Sequence, residues 1–191
     1  MEQSAPILIH SIQQLAEVDK AEAQVIYDAL QRVVLEKEDF LLRAGQICRQ
    51  YYFVETGTIR LFYEKDGLDY TVWMGTAGEI FTNLESYLDG SVSRINMQAL
   101  EPSIVFGIQK DKSDALARSS NAYNTLLRKT VEMAFVNLSK NVISFQSEEA
   151  ADRYQRVAAD KNWIAKYPLK YISTFIGVTQ STLSRIRARK E

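Results

Sequence analysis

The chain of 191 residues predicts an α+β fold: a helical lead, an antiparallel β sandwich or roll, a long helix and a C-terminal helix-turn-helix. Three observations carry that reading. Seven of the eight glycines fall between Gly45 and Gly107, which gives that zone the turn residues of a β domain. No proline occurs between Pro102 and Pro168, so the stretch between them sustains long helices. The segment from Pro168 to Arg187 changes direction once, at Gly177, with apolar residues at helical spacing on both sides.

The elements follow in order. Residues 11–35 hold Ala21, Val25, Ile26, Ala29, Leu30 and Val33 at helical spacing, with Asp19 as a cap, and predict helix. From Phe40 the period changes. Residues 51–63 are β-branched and aromatic, with a break at Gly57. Glu64 to Asp69 is a polar turn, and Tyr70 to Met74 resumes strand character. A strand pair fits Asn96–Leu100 and Ile104–Ile108 about Glu101-Pro102-Ser103.

The helical period returns at Ser113 and lasts to about Phe145. It carries two apolar stripes. One is Leu127, Val131, Phe135, Leu138, Val142 and Phe145; the other is Tyr123, Leu126, Thr130, Met133 and Asn137. A helix with two faces to cover needs two partners. One is the β domain; the other is the same helix of a second subunit, or else the rest of the chain. A further helix fits Glu148–Ile164 with Ser147 as its cap. The chain therefore divides into 1–112, a β domain; 113–145, a long helix; and 146–191, a helix-turn-helix domain.

In the last segment, Pro168 opens a helix where a missing N–H costs nothing. Tyr171, Ile172 and Phe175 give it an apolar face, and Gly177 supplies the positive φ of a tight turn. Thr179 caps a second helix whose Leu183 and Ile186 share an inward face. Its other face bears Gln180, Ser181, Thr182, Ser184, Arg185 and Arg187, the hydroxyls, amide and guanidinium forks that meet phosphates and base edges. Charge agrees. Residues 161–191 hold Lys161, Lys166, Lys170, Arg185, Arg187, Arg189 and Lys190 against Glu191 alone, a net of +6, while 1–160 carry 16 basic against 23 acidic residues, a net of −7. A basic end on an acidic body points that end at a polyanion, here double-stranded DNA.

Composition excludes other classes. Cys48 and His10 are the only residues of their kinds. No intrachain disulfide, cysteine-held cluster, zinc site or histidine triad can be assembled from them. No catalytic residue and no metal ligand is assigned, and an enzyme is not expected. No apolar run spans a bilayer, and Met1 to Ile7 lacks the pattern of a secretory signal, so the expected compartment is the cytoplasm, with no membrane partner.

The order of elements resembles the Crp/Fnr family of transcription regulators. The sharpest points are Gly45 with the strand after it, Val54-Glu55-Thr56-Gly57-Thr58-Ile59-Arg60, Gly78-Glu79-Ile80, and Ile176-Gly177-Val178-Thr179-Gln180-Ser181-Thr182-Leu183-Ser184-Arg185. The resemblance implies an N-terminal antiparallel β-roll (a double-stranded β-helix, or jelly roll) with flanking helices, acting as a cyclic-nucleotide-binding-like sensor. It implies that the long helix is a homodimer interface, through the stripe of Tyr123, Leu126, Thr130, Met133 and Asn137, and that DNA is bound as an inverted repeat. It also implies RNA polymerase as a partner.

In that family a Glu binds the ribose and an Arg holds the cyclic phosphate. Glu79 matches the first, whereas Ser93 stands where the arginine is expected and Arg94 one place later. In extended chain a slip of one residue reverses the face. Glu79, Ser93 and Arg94 are the candidate ligand residues, cyclic AMP is not expected, and a different small-molecule effector, or none, remains. The candidate DNA residues are Lys170, Thr179, Gln180, Ser181, Thr182, Ser184, Arg185 and Arg187. The family's winged hairpin after the recognition helix is not expected, since the sequence runs only four residues past Arg187. The alternative function is a cyclic-nucleotide or metabolite binding module that acts through protein partners and carries a vestigial helix-turn-helix.

Overall fold

The computed structural model describes residues 7–159 and 161–188, apart from the side chains of Lys161, Asn162 and Ala165. The reading of the first six residues, the Lys161 side chain, and Arg189, Lys190 and Glu191 lie outside the described residues. By contacts the chain forms two compact units. One runs to Leu61 and resumes at Met74–Met133; the other joins Phe62–Trp73 to the chain from Ala134 onward.

In the first unit, helix α1 (Ile7–Ala16) is held at its start by the Glu55 carboxylate. The Ile7 and Leu8 N–H groups donate to its two oxygens, each at 2.9 Å, which satisfies two of the donors that a helix start leaves open. Helix α2 (Lys20–Asp28) begins at Asp19, whose Oδ1 accepts from Glu22 N at 2.9 Å. The expected helix ends there. Residues 31–35 form strand β1 (Gln31–Leu35), because β1 finds a ladder against β8 (Ser103–Gln109) from Gln31↔Gly107 to Leu35↔Ser103. That pairing overrides a weak helical pattern rich in β-branched valine.

The other strands are β2 (Phe40–Leu42), β3 (Gln50–Thr56), β4 (Thr58–Lys65), β5 (Leu68–Thr76), β6 (Ile80–Phe81) and β7 (Asn96–Ala99), with helix α3 (Leu84–Asp89) between β6 and β7. They form two sheets, ordered β1-β8-β3-β6 and β2-β7-β4-β5. Apart from the β4–β5 hairpin, strands adjacent in sequence thus lie in different sheets. The expected pairing of 96–100 with 104–108 is corrected: β7 pairs with β2, while β8 pairs with β1 and β3. Gly57 makes the corner from β3 to β4 at φ +90°, and a Cβ there would stand 2.1 Å from Ser103 Oγ, so no other residue fits. Thr58 Oγ1 donates to Glu101 at 2.8 Å and ties this corner to the one between β7 and β8.

Helix α4 (Lys110–Ser119) is separated from the long helix α5 (Asn121–Ser147) by Ser120, which is extended. Its Oγ accepts from Tyr123 N at 3.1 Å, so the single helix expected from Ser113 restarts on a serine cap. Tyr123 and Leu126 are wholly buried in a core with Leu8, Ile12, Ile26, Phe53 and Ile108, and Tyr123 Oη bonds Ser113 Oγ at 2.8 Å. The stripe assigned to a partner is therefore corrected. Its first two members belong to the chain's own core, and Thr130 Oγ1 donates back to Leu126 O at 2.8 Å. Asn137 is half-buried and Met133 exposed. The other stripe, apart from Leu127, is the open one: Val131, Phe135, Leu138 and Val142 are exposed at 4-3-4 spacing.

In the second unit, helix is present over Ala150–Ala159 (α6) and Lys161–Lys166 (α7), within and just past the stretch 148–164 where helix is expected, but Ser147 does not cap it. Ser147 closes α5, where its Oγ donates to Ile143 O at 2.8 Å. Helices α8 (Leu169–Phe175) and α9 (Gln180–Ala188) complete the unit. Among the described residues, no helix is long and apolar enough to cross a membrane, and no group of His, Cys, Asp and Glu could hold a metal.

Candidate nucleic-acid interface and sensor site

The α8–α9 pair is a helix-turn-helix whose turn satisfies its own backbone. Pro168 precedes the first turn of α8. At the other end Gly177 takes φ +75°, its N–H donates to Thr174 O at 3.2 Å, and Val178 N donates to Ser173 O at 2.9 Å. This paired closure uses two of the carbonyls a helix end leaves open. Thr179 Oγ1 accepts from Thr182 N at 3.2 Å and caps α9. Ile172, Ile176 and Leu183 are buried between the helices, and Phe175 lies 5.5 Å from the Trp163 ring.

With Leu183 turned inward, helical spacing turns Gln180, Ser181, Ser184 and Arg185 outward, and all four are exposed. Thr182 and Arg187 are half-buried, and Lys170 is exposed on α8. The Arg185 guanidinium donates to Thr182 Oγ1 at 3.3 Å, and Thr179 Oγ1 in turn donates to that oxygen at 3.0 Å. Thr179 and Thr182 are thus engaged within α9, one as its cap and one as a rest for Arg185. The hairpin of β4 and β5 adds a contact in the same unit. β5 is an edge strand. The N–H of its Thr71 donates to Thr174 Oγ1 on α8 at 3.2 Å, and that hydroxyl donates to Thr71 Oγ1 at 3.1 Å.

The sensor residues do not converge. Glu79 sits in the turn after β5, where one carboxylate oxygen accepts from Thr76 N at 2.7 Å and from Thr76 Oγ1 at 3.4 Å. Burial raises its pKa, and the Thr76 hydrogen bonds oppose that rise. The carboxylate closes a turn. Ser93 is buried, and its hydroxyl donates to Ile95 O at 2.8 Å while accepting from Ile95 N at 2.9 Å and from Asn83 Nδ2 at 2.6 Å. A hydroxyl has one proton and two lone pairs, so nothing of Ser93 is left for a phosphate. Arg94 points the other way, with its side chain 84 % exposed and Glu85 3.6 Å away.

Sequence reading passed over Asn83. It precedes α3, accepts from Ser86 N at 3.5 Å, and its amide spans to Ser93. The spacing Asn83-x-x-Ser86 ahead of a short apolar run was the available signal. A cavity of about 580 Å3 is lined by Arg49, Gln109, Lys110, Asp111 and Asp114, and its lining includes none of the three candidate ligand residues.

Comparison with known proteins accords with this geometry. Residues 32–120 match the family described as cyclic nucleotide-binding domain. No curated protein matches by sequence. Among solved structures, the c-di-GMP-responsive global regulator CLP of Xanthomonas campestris is similar with a TM-score of 0.71 at 12 % identity, over 90 % of this chain and 91 % of that one. The Thermus thermophilus catabolite activator protein gives 0.61 at 18 % identity, over 94 % and 85 %. A transcriptional regulator of the Crp/Fnr family from Eubacterium rectale gives 0.69 at 11 % identity, over 91 % and 83 %. Residues 32–120 are thus similar to the cyclic nucleotide-binding domain family, and the chain shares the fold of these regulators, in keeping with the resemblance drawn from the sequence.

Proposed function

From a cyclic nucleotide-binding domain on Crp/Fnr architecture as premise, we propose that this chain is a homodimeric, sequence-specific DNA-binding transcription regulator whose β-roll answers to an effector other than cyclic AMP, or to none. The observation that carries the reading is the closed turn from α8 to α9 with Leu183 inward and Gln180, Ser181, Ser184 and Arg185 outward. The N-terminal part of such a second helix faces the floor of the major groove. Arg185 suits the O6 and N7 acceptors of guanine, Gln180 suits adenine, and Ser181 reaches a neighbouring edge. Lys170, Ser184 and Arg187 hold phosphates, with Thr179 and Thr182 supporting the helix that presents Arg185. The partner helix is α5 of a second copy, through the open stripe of Val131, Phe135, Leu138 and Val142, which takes the place of the stripe expected to form the interface.

The β-roll reading rests on Asn83 and Ser93 bonded to each other, and on Arg94 facing solvent. A cyclic phosphate buried beside Ser93 would not meet Arg94, the arginine that the sequence offers for that charge-assisted contact.

The test is selection of sites from genomic fragments, repeated at two salt concentrations. We expect an inverted repeat with half-sites about one helical turn apart, or a multiple of it. Arg185→Ala should cost about 1–3 kcal/mol on the preferred site and relax one base pair per half-site. Lys170→Ala should weaken all sequences alike and flatten the salt slope. A wild type that selects no sequence refutes the reading and favours a module that acts through protein partners.

A further inference from the structure

The link from the long helix α5 to α6, the first helix of the segment that ends in the helix-turn-helix, is two residues, Glu148 and Glu149, and a cluster of side chains holds it from both sides. On one side, the Arg153 Nε donates to Ile176 O at 2.9 Å and its Nη1 donates to Glu148 O at 2.6 Å. Ile176 is the C-cap of α8 just before the Gly177 turn, and Glu148 is the first residue past α5. Each carbonyl lies at a helix end, where backbone acceptors lack intrahelical partners. One planar fork therefore serves two helix ends at once, a geometry that suits arginine and not lysine.

The Arg153 guanidinium also lies 5.1 Å above the Phe145 ring. Phe145 in turn packs on the turn itself: a Cβ on Gly177 would stand 2.6 Å from Phe145 Cε1. Gly177 is thus favoured by its positive φ, and its lack of a Cβ leaves room for this ring. On the other side of the link, Arg156 pairs with Glu148 Oε2 at 2.6 Å, and buried Ser144 donates to the same oxygen at 2.8 Å. A link enclosed in this way is not a free hinge.

We infer that Arg153 is a positioning residue that indexes the recognition helix on the last turn of α5, and so sets the half-site spacing the regulator accepts. The inference rests on the proposed reading of a dimer through α5 that binds an inverted repeat. In such a dimer each α9 hangs from its own α5. A fixed angle at each link fixes the separation of the two α9 helices, and binding of both half-sites is then close to all-or-none in spacer length. With the link loosened, the best spacing loses affinity, because the two readers are no longer pre-placed. Poor spacings lose less, since the freed units adapt to them. Arg153 touches no base in this account.

The test compares the wild type with Arg153→Met, which keeps the apolar stem and loses the donors, and Arg153→Lys, which keeps the charge and loses the fork. Affinity is measured on the selected inverted repeat and on versions whose spacer is lengthened or shortened by one to three base pairs, beside a single half-site. Both variants should lose about ten- to a hundredfold on the best spacing, show a flatter spacing profile, and bind the single half-site as the wild type does.

A second measurement needs no DNA. Spin labels are placed at Lys140 on α5 and Ala188 on α9, with labelled chains diluted by unlabelled ones. The distance distribution should be narrow in the wild type and broad in both variants. If the wild type selects no DNA but the distances broaden, the proposed function fails while the indexing role of Arg153 stands, without its link to spacing. If the wild type selects an inverted repeat and both variants keep its spacing profile and its narrow distances, the inference is overturned. A lysine variant that behaves as the wild type overturns it too, because the charge alone then suffices.

Discussion

Phe135 is the strongest lever on the open stripe of α5. Its side chain is 69 % exposed, and a phenylalanine offers roughly 200 Å2, so about 140 Å2 is free to be covered by a second copy. At about 25 cal/mol per Å2, complete covering contributes about 3.5 kcal/mol per chain and about 7 kcal/mol for a two-fold pair. Association realises only part of such an area, because side-chain ordering and incomplete covering oppose it. With half realised, Phe135→Ala removes about 3.5 kcal/mol and raises the dimer dissociation constant by two to three orders of magnitude. Alanine is a better helix former than phenylalanine, so α5 itself should persist and circular dichroism should not change. Sedimentation equilibrium over a wide concentration range reads the constant directly. Val25→Ala is the control: Val25 is 62 % exposed but lies on α2, and its loss should leave association unchanged. The reasoning is refuted if Phe135→Ala associates as the wild type does, or if the wild type is monomeric at tens of micromolar.

Three further outcomes follow from the same contacts. Leu126 is wholly buried in the chain's own core, so Leu126→Ala should cost about 2–5 kcal/mol in denaturant unfolding; a variant of unchanged stability that only loses association would return Leu126 to the interface. Burial raises the Glu79 pKa, so the folded chain holds that proton more tightly than the unfolded one, and this cost to stability grows as pH rises through the carboxylate range. Glu79→Gln keeps an acceptor for Thr76 and removes the titration, so its melting temperature should gain on the wild type from about pH 4 to about pH 7; a gap that does not move with pH contradicts the desolvated carboxylate. Titration calorimetry with cyclic AMP should give no heat of binding, with or without Arg94→Ala; micromolar binding that Arg94→Ala abolishes would show that Arg94 reaches the pocket.

Features governed by a few neighbouring residues were legible in the sequence. Asp19 caps α2, Thr179 caps α9, Pro168 opens α8 and Gly177 turns, each because a short-range backbone requirement admits few residue types. Features decided by distant partners were not. Residues 31–35 carry a helical pattern, yet β8 lies alongside them and the ladder prevails. The strands on either side of Pro102 look like a hairpin, yet they part into different sheets, because the close approach of Gly57 to Ser103 fixes a corner that only the folded chain reveals.

The two stripes of the long helix show the same limit more sharply. Period alone separates two faces, but it carries no sign that says which is covered from within, and burial crosses the division: Leu127 packs against the core while Met133 is exposed. The sign came from Tyr123, whose hydroxyl needs a partner when buried and finds Ser113 ten residues earlier, across the break at Ser120. With Tyr123 and Leu126 committed to the core, the stripe of Val131, Phe135, Leu138 and Val142 is left open further along α5. At the sensor site, by contrast, the period-two argument put Arg94 off the inner face, and Arg94 is exposed while Ser93 is buried, although the two stand at a bend ahead of β7 rather than in a strand. What that argument lacked was the occupant of the inner face. Asn83 fills it, because its amide has donors to give to the Ser93 hydroxyl, and so the residue bonded to Ser93 is one that a search for charged ligands passes over.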